Sequence, residues 1–178
     1  RLCAGFAKLY ITVIRGTPLL VQLYIVYYQL HFIPWPEGSI LGVELARVMP
    51  CILALSMNST AYVAEVIRSG IQAVDGGQME AARSVGFSSG EAMRLVVLPQ
   101  AIRNILPALG NEFVTVIKES SIVSVIGIAD LMFRTNDVIA VTYKNLECLA
   151  VAALCYFVLT FVSGRAVSLA ERKLSHGK

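Results

Sequence analysis

Residues 80–100 read EAARSVGFSSGEAMRLVVLPQ, and their polarity decides the fold because the chain around them is built for lipid. The stretch carries two helix signals in series. Just upstream, Asp75 followed three positions on by Gln78 has the form of a capping box, in which two polar side chains satisfy free backbone N–H groups at a helix start. QMEAARSV then supplies strong helix formers around small Ala81 and Ala82. Gly86 suits the left-handed residue that ends a helix. Ser88 with Glu91 repeats the box and opens a second short helix, EAMRLVV, which Pro99 is expected to stop or bend. The reading is two short helices joined by a glycine turn, lying at a membrane surface.

Working outward, hydrophobic residues make up 56% of the 178 and charged residues 15%, with a mean hydropathy of +0.68. A water-soluble core of this size does not need so much apolar surface. Residues 16–36, 48–64 and 148–164 contain no Asp, Glu, Lys or Arg. With its flanks, each offers the ~20 apolar residues that a helix needs to cross ~30 Å of hydrocarbon. Residues 101–128 form a fourth candidate span despite Glu112, Lys118 and Glu119, because charges at such depth face a protein interior or an aqueous path. At the start, Arg1, Lys8 and Arg15 surround LYITVI, which reads as a juxtamembrane loop following a span absent from this sequence. The apolar run and small-residue cleavage pattern of a signal peptide are not seen there.

Counting Lys and Arg by loop sets the orientation. Placing residues 75–100 in the cytoplasm collects Arg1, Lys8, Arg15, Arg68, Arg83, Arg94, Arg103, Arg165, Arg172, Lys173 and Lys178 on that side. The opposite loops hold few: none from His31 to Gly42, and Arg134 and Lys144 between Ser120 and Leu146. FIPWPEG is expected as a tight outer connection, and a short outer helix from Ser124 toward Phe133. The net charge of +3 is loop asymmetry, so a nucleic-acid partner has no support. Cys3, Cys51, Cys148 and Cys155 form no CxxC pair and are assigned to packing. His31 and His176 are isolated, so no metal site is expected, and no GxxxxGK[ST] loop for nucleotide appears. Tyr24, Tyr27, Tyr28 and Trp35 read as an interfacial packing cluster. Ser120 and Ser121 are expected to satisfy backbone groups where the fourth span ends.

Polar residues recur on helix faces within the spans. Gln22 and Gln29 share one face; Asn58, Tyr62 and Glu65 stand at i, i+4 and i+7; Asn111, Thr115 and Lys118 form a third stripe, with Glu112 and Glu119 on the adjacent face. Three helices are thus expected to turn polar stripes toward a common interior.

Glu80-Ala81-Ala82, Gly86 and Leu98-Pro99 resemble the EAA loop of the membrane subunits of bacterial ABC importers. The resemblance extends along nearly the whole chain. Residues 15–22, RGTPLLVQ, are similar to the start of a transmembrane helix in the polar amino acid uptake subfamily, the histidine, arginine and glutamine permeases. NSTAY at 58–62 with Ala64-Glu65, LPALGNE at 106–112 and KESS at 118–121 match further segments in the same order, departing slightly at Glu119 and Ser120, where many members have Asp and Thr.

The resemblance implies an all-α, polytopic transmembrane bundle of the type I ABC importer kind, one permease domain over residues 1–178 in the bacterial inner membrane, lacking one N-terminal span. It implies a transport subunit rather than an enzyme, with no cofactor of its own. ATP and Mg²⁺ would be held by two cytoplasmic ATPase subunits, beside a second permease subunit and a periplasmic or lipid-anchored amino-acid-binding protein. Glu80, Ala81, Ala82, Arg83 and Gly86 would dock on the ATPase. The substrate path would use Gln22, Asn58, Tyr62, Asn111, Glu112, Thr115, Lys118, Glu119 and Ser120. Lys118 is expected to meet the carboxylate of a polar amino acid and Glu112 its ammonium or a cationic side chain; mutual neutralisation of these groups is the architectural alternative. A loop that merely joins two spans, in a self-contained secondary transporter or channel, is the rival for the whole chain.

Overall fold

The computed structural model describes residues 2–30, 32–40 and 42–175. The expectations placed on Arg1, His31, His176 and Lys178, and on the side chain of Lys173, lie outside the described residues. Among those described, the α-helices are α1 (Leu2–Arg15), α2 (Leu19–Gln29), α3 (Leu45–Gln72), α4 (Gly76–Ser84), α5 (Ser89–Ala92), α6 (Leu98–Glu119), α7 (Leu131–Thr142) and α8 (Asn145–Ser175). A two-residue antiparallel ladder pairs β1 (Ser39–Ile40) with β2 (Val43–Glu44) in the loop before α3.

The expected loop at the start is a helix. In α1, Leu2, Phe6, Leu9 and Val13 recur at i, i+4, i+7 and i+11 and leave one apolar face exposed, while Ile14 is buried. Residues 16–36 differ from expectation as well. Their only helix among the described residues is the 11-residue α2, about 16 Å long and half of a bilayer crossing. It meets α1 at 108°. Pro18 explains the elbow: it has no N–H to give to α1, and its extended backbone (ψ 137°) turns the chain before α2 begins.

By length and composition, α3 and residues Asn145–Arg172 of α8 can cross a membrane, and the bent pair α1 and α2 together form a third candidate. α8 exposes Leu154, Phe157, Val158, Phe161 and Val162, as a lipid-facing helix does, with Ala152 its buried hydrophobic residue. α6 carries the charges noted above but is held inside, with α3 on one side and α8 on the other. Glycines set both distances. A Cβ on Gly70 would collide with Ile105 of α6, and one on Gly110 would collide with Val167 and stand 2.6 Å from Glu171 Oε1. Leu23, Val26, Cys51, Ala54, Val123 and Ile128 close the core where α2, α3 and the segment after α6 meet.

Two further boundaries shift. Pro99 does not stop the second loop helix. A π-helical segment, Met93–Val97, carries the chain from α5 into α6, with the Leu98 N–H reaching Met93 O. The widened turn places the missing N–H of Pro99 where the helix would otherwise break. After α6 a 3₁₀ segment, Ser120–Ile126, ends at Gly127 in the left-handed conformation (φ 82°), and Asp130 then caps α7 by accepting from the Phe133 N–H at 2.8 Å. The helix expected over residues 124–133 is therefore residues 131–142. Ser120 and Ser121 donate to the Ile117 and Lys118 carbonyls at 2.8 Å each, closing the end of α6 as expected. Cys51 is buried, but Cys3 is exposed on α1 and packs no core.

Candidate coupling loop and translocation face

The polar hairpin joins the C-terminal end of α3 to the N-terminal end of α6. Asp75 caps α4 by accepting from the Gly77 N–H at 2.8 Å, but Gln78 does not complete a box; it accepts from Gln100 Nε2 at 3.2 Å and ties α4 to α6. At the second start both halves of the box form: Ser88 Oγ accepts from the Glu91 N–H at 3.3 Å, and Glu91 Oε2 accepts from the Ser88 N–H at 2.9 Å. The Ser88 hydroxyl, donating to Glu91 Oε2 at 2.7 Å, and then the Ser88 N–H hold the Glu91 carboxyl below its ordinary pKa. Gly86 sits at φ +99°, a conformation that costs a residue with a Cβ.

Side chains on the hairpin divide by direction. Ala82 is buried with Ala92 and Val97, and its small size lets α4 lie against the α5–π segment. Glu80, Ala81, Arg83 and Gly86 are exposed. Glu80 and Arg83 form no ion pair among the described residues. Val85 is 78% exposed, and Phe87 and Leu95 also lie open. Such an apolar tip rimmed by one acid and one base, on a rigid capped hairpin, is the composition of an interface core and its polar edge.

The polar stripes of α2 and α3 meet each other. Gln22 Nε2 donates to Ile14 O at 2.7 Å, Thr17 Oγ1 at 2.9 Å and Thr17 O at 3.0 Å, while its Oε1 accepts from Asn58 Nδ2 at 2.9 Å; both side chains are buried. One turn inward, Arg15 lies over the Tyr62 ring at 5.5 Å and pairs with Glu65 at 3.5 Å. Arg68 also pairs with Glu65. Tyr10 Oη donates to Met57 O at 2.7 Å. The α1–α2 elbow thus covers α3 at Asn58, while Tyr62 and Glu65 further along the same face border an open cleft, and Gln29 is exposed at the far end of α2. Sequence spacing gave each stripe but not the pairing of Gln22 with Asn58, 36 residues apart, nor the part played by Thr17 and Arg15.

α6 keeps an open polar face. Asn111 and Lys118 are exposed and Thr115 is half-buried between them. Lys118 has no ion pair among the described residues. Glu112 turns toward α3, accepting from Ser59 Oγ at 3.4 Å. Glu119 is half-buried two turns further along the same face, and Ser120 follows at the helix end. Beside this contact a groove of about 670 Å³ runs along α3 to Val116 of α6, with Ser56, Ser59 and Thr60 in its wall. Its volume lies in the range of small-molecule sites.

A helical bundle with two helices able to cross a membrane and a capped hairpin between packed α3 and α6 fits a membrane transport component. The family described as "Binding-protein-dependent transport system inner membrane component" matches residues 2–176, and the chain belongs to that family. It is 46% identical over 168 residues to the arginine transport system permease protein ArtQ of Bacillus subtilis, covering 94% of this chain and 74% of that one. It is 42% identical over 175 residues to the nopaline transport system permease protein NocM of Agrobacterium fabrum, covering 96% and 72%. A solved structure, a crystal structure of an amino acid ABC transporter with histidines, superposes with a TM-score of 0.79 at 51% identity over 93% of this chain and 74% of that one. The chain is therefore an inner-membrane transport component, not an enzyme, and it is the membrane-embedded partner in a binding-protein-dependent system.

Proposed function

We propose that this chain is a multi-pass permease subunit of an ATP-driven importer for polar amino acids, one domain that lines the translocation path and receives force through residues 75–100. The observation that carries the reading is the hairpin: an exposed Val85, with Phe87, Glu80 and Arg83 beside it, mounted directly on α3 and α6. The amino acid substrates named for the relatives, arginine and nopaline among them, support the substrate class.

ATP and Mg²⁺ belong in this scheme to two cytoplasmic ATPase subunits whose surface receives Glu80, Ala81, Arg83 and Gly86. Closure of those subunits draws the hairpins of two permease copies together. Because α4 is tied to α6 by the Gln78–Gln100 bond and follows α3 after a three-residue turn, the hairpin and both helices tilt as one body. The path follows the open face of α6, where Asn111, Thr115 and Lys118 offer donors and a fixed positive charge for a carboxylate. Glu112, Glu119 and Ser120 offer acceptors for an ammonium or a cationic side chain. Gln22, Asn58 and Tyr62 stand behind that face and hold the elbow. A binding protein delivers the substrate from outside.

The reading is tested by co-purification of the partner ATPase with tagged permease carrying Val85→Asp. A charge at the centre of an apolar tip reduces recovered ATPase at least ten-fold while the permease still folds. Undiminished recovery would show that the tip is not the docking surface.

A further inference from the structure

Between α1 and α3 lies an open cleft of about 950 Å³ whose basic residues the transport reading does not use. Lys8, Arg15 and Arg68 line it against a single carboxylate, Glu65. Glu65 is already shared by both arginines, so the cleft keeps an excess of positive charge. Arg68 is further committed to Gln72 at 2.7 Å, which leaves the unpaired Lys8 ammonium and the outer donors of Arg15 as the groups free to meet an anion among the described residues. Ala4, Ala7 and Ile11 continue the wall along α1, giving the cationic end an apolar neighbour.

Geometry identifies the class of anion. α1 departs from α2 at 108°, so a helix that leaves the bilayer along α2 turns into its plane along α1. Leu2, Phe6, Leu9 and Val13 stand exposed on the side of α1 away from the cleft, while Lys8 and Arg15 share the cleft side. An apolar stripe opposite a basic face is the pattern of a helix seated at the level of lipid headgroups. Resting on the inner-side orientation argued above, we propose that this cleft binds the phosphate of an anionic phospholipid from the cytoplasmic leaflet, with Lys8 and Arg15 as its cationic ligands. A free phosphate offers the same charge but has no use for the apolar wall. The bound lipid bridges α1 to α3 at the level where Arg15 and Glu65 already join them.

The test uses the complete transporter, purified in detergent without ATP or amino acid, so that its outcome is independent of whether the transport reading holds. Phosphatidylglycerol and phosphatidylcholine are titrated and retained lipid is counted by native mass spectrometry. Phosphatidylglycerol is retained in preference, and each cation removed weakens retention roughly five-fold, as in Lys8→Gln and then Lys8→Gln with Arg15→Gln, whereas Lys144→Gln on the outer side changes nothing. Because Arg15 also pairs with Glu65, the single variant at exposed Lys8 keeps the test valid if the double variant fails to fold. Equal retention by Lys8→Gln, Lys144→Gln and the unaltered protein would overturn the proposal. So would displacement of the lipid by equimolar inorganic phosphate, which would make a free anion the occupant.

Discussion

Replacing Gln22 by Leu should destabilise the protein by more than any single lost hydrogen bond accounts for, and replacing Asn58 by Leu as well should add almost nothing to the loss. Gln22 satisfies two backbone carbonyls, a hydroxyl and the Asn58 amide inside a buried corner. Removing it strands the Asn58 donor, and an orphaned buried polar group costs about 1–3 kcal/mol. Interhelical hydrogen bonds in membrane proteins measure lower, averaging about 0.6 and reaching about 1.7 kcal/mol, because unfolded helices in lipid find other partners. Gln22→Leu is therefore expected to cost about 2 kcal/mol and Asn58→Leu about 1 kcal/mol. Truncating both removes the stranded donor, so the pair should cost about 1 kcal/mol less than the sum. For a chain of this length 1 kcal/mol shifts a thermal midpoint by roughly 2–4 °C, so the coupling is readable by thermal unfolding of the purified variants in detergent. Midpoint losses that simply add would refute the bridge. An altered substrate KM with unchanged stability would instead assign Gln22 and Asn58 to the transport path itself.

Gly110→Val places two methyl groups where Val167 and Glu171 of α8 already stand, an overpacking worth about 1–3 kcal/mol, and should lower the thermal midpoint of the purified protein and its folded yield; wild-type values would show that α6 and α8 are not in close contact. The Glu91 carboxyl titrates below its ordinary value, so the second cap stabilises the hairpin above the unfolded pKa of about 4.3 and is lost as pH falls through the lower folded value. NMR titration of the Glu91 side chain should show the lowered midpoint, and Ser88→Ala should return it to the ordinary range; a midpoint insensitive to that change would exclude the box as its cause. Glu112→Gln and Lys118→Met should each weaken binding of a polar amino acid by ten-fold or more in a direct binding assay on the assembled transporter, and unchanged affinity in both would remove them from the path.

Much of this architecture was legible in residue order because lipid imposes simple rules. Charge-free runs located α3 and α8, and the caps of the hairpin were set by Asp75, Gly86 and the Ser88–Glu91 box, all local chemistry. What escaped was tertiary or masked by charge. Lys8 and Arg15 give residues 1–15 the charge of a loop, although Leu2, Phe6, Leu9 and Val13 carry a helical period. The elbow at Pro18 shortened α2 because a proline after Gly16-Thr17 turns the chain, and an apolar run alone does not record direction. Pro99 read as a stop because a π segment can absorb a proline only when packing holds the turns on either side. Arg47, at the start of α3, pairs with Glu44 at 3.2 Å. For the candidate site, the stripes were readable from periodicity, but which stripe meets which required the fold: α2 and α3 join theirs through Gln22 and Asn58, and α6 leaves Asn111 and Lys118 open.

The central claim is that the hairpin over residues 75–100 passes ATPase motion into α3 and α6. Amino-acid-stimulated ATP hydrolysis tests it most directly, in proteoliposomes holding the complete permease with its ATPase and binding protein, comparing the unaltered protein with Glu80→Lys and Gly86→Asp. Glu80→Lys reverses an exposed charge at the docking rim, and Gly86→Asp forces a side chain onto a backbone at φ +99°. The account predicts that stimulation falls to the basal rate in both while the permease remains folded and in the membrane. Full stimulation in both variants would contradict it and leave the hairpin a connector between two spans.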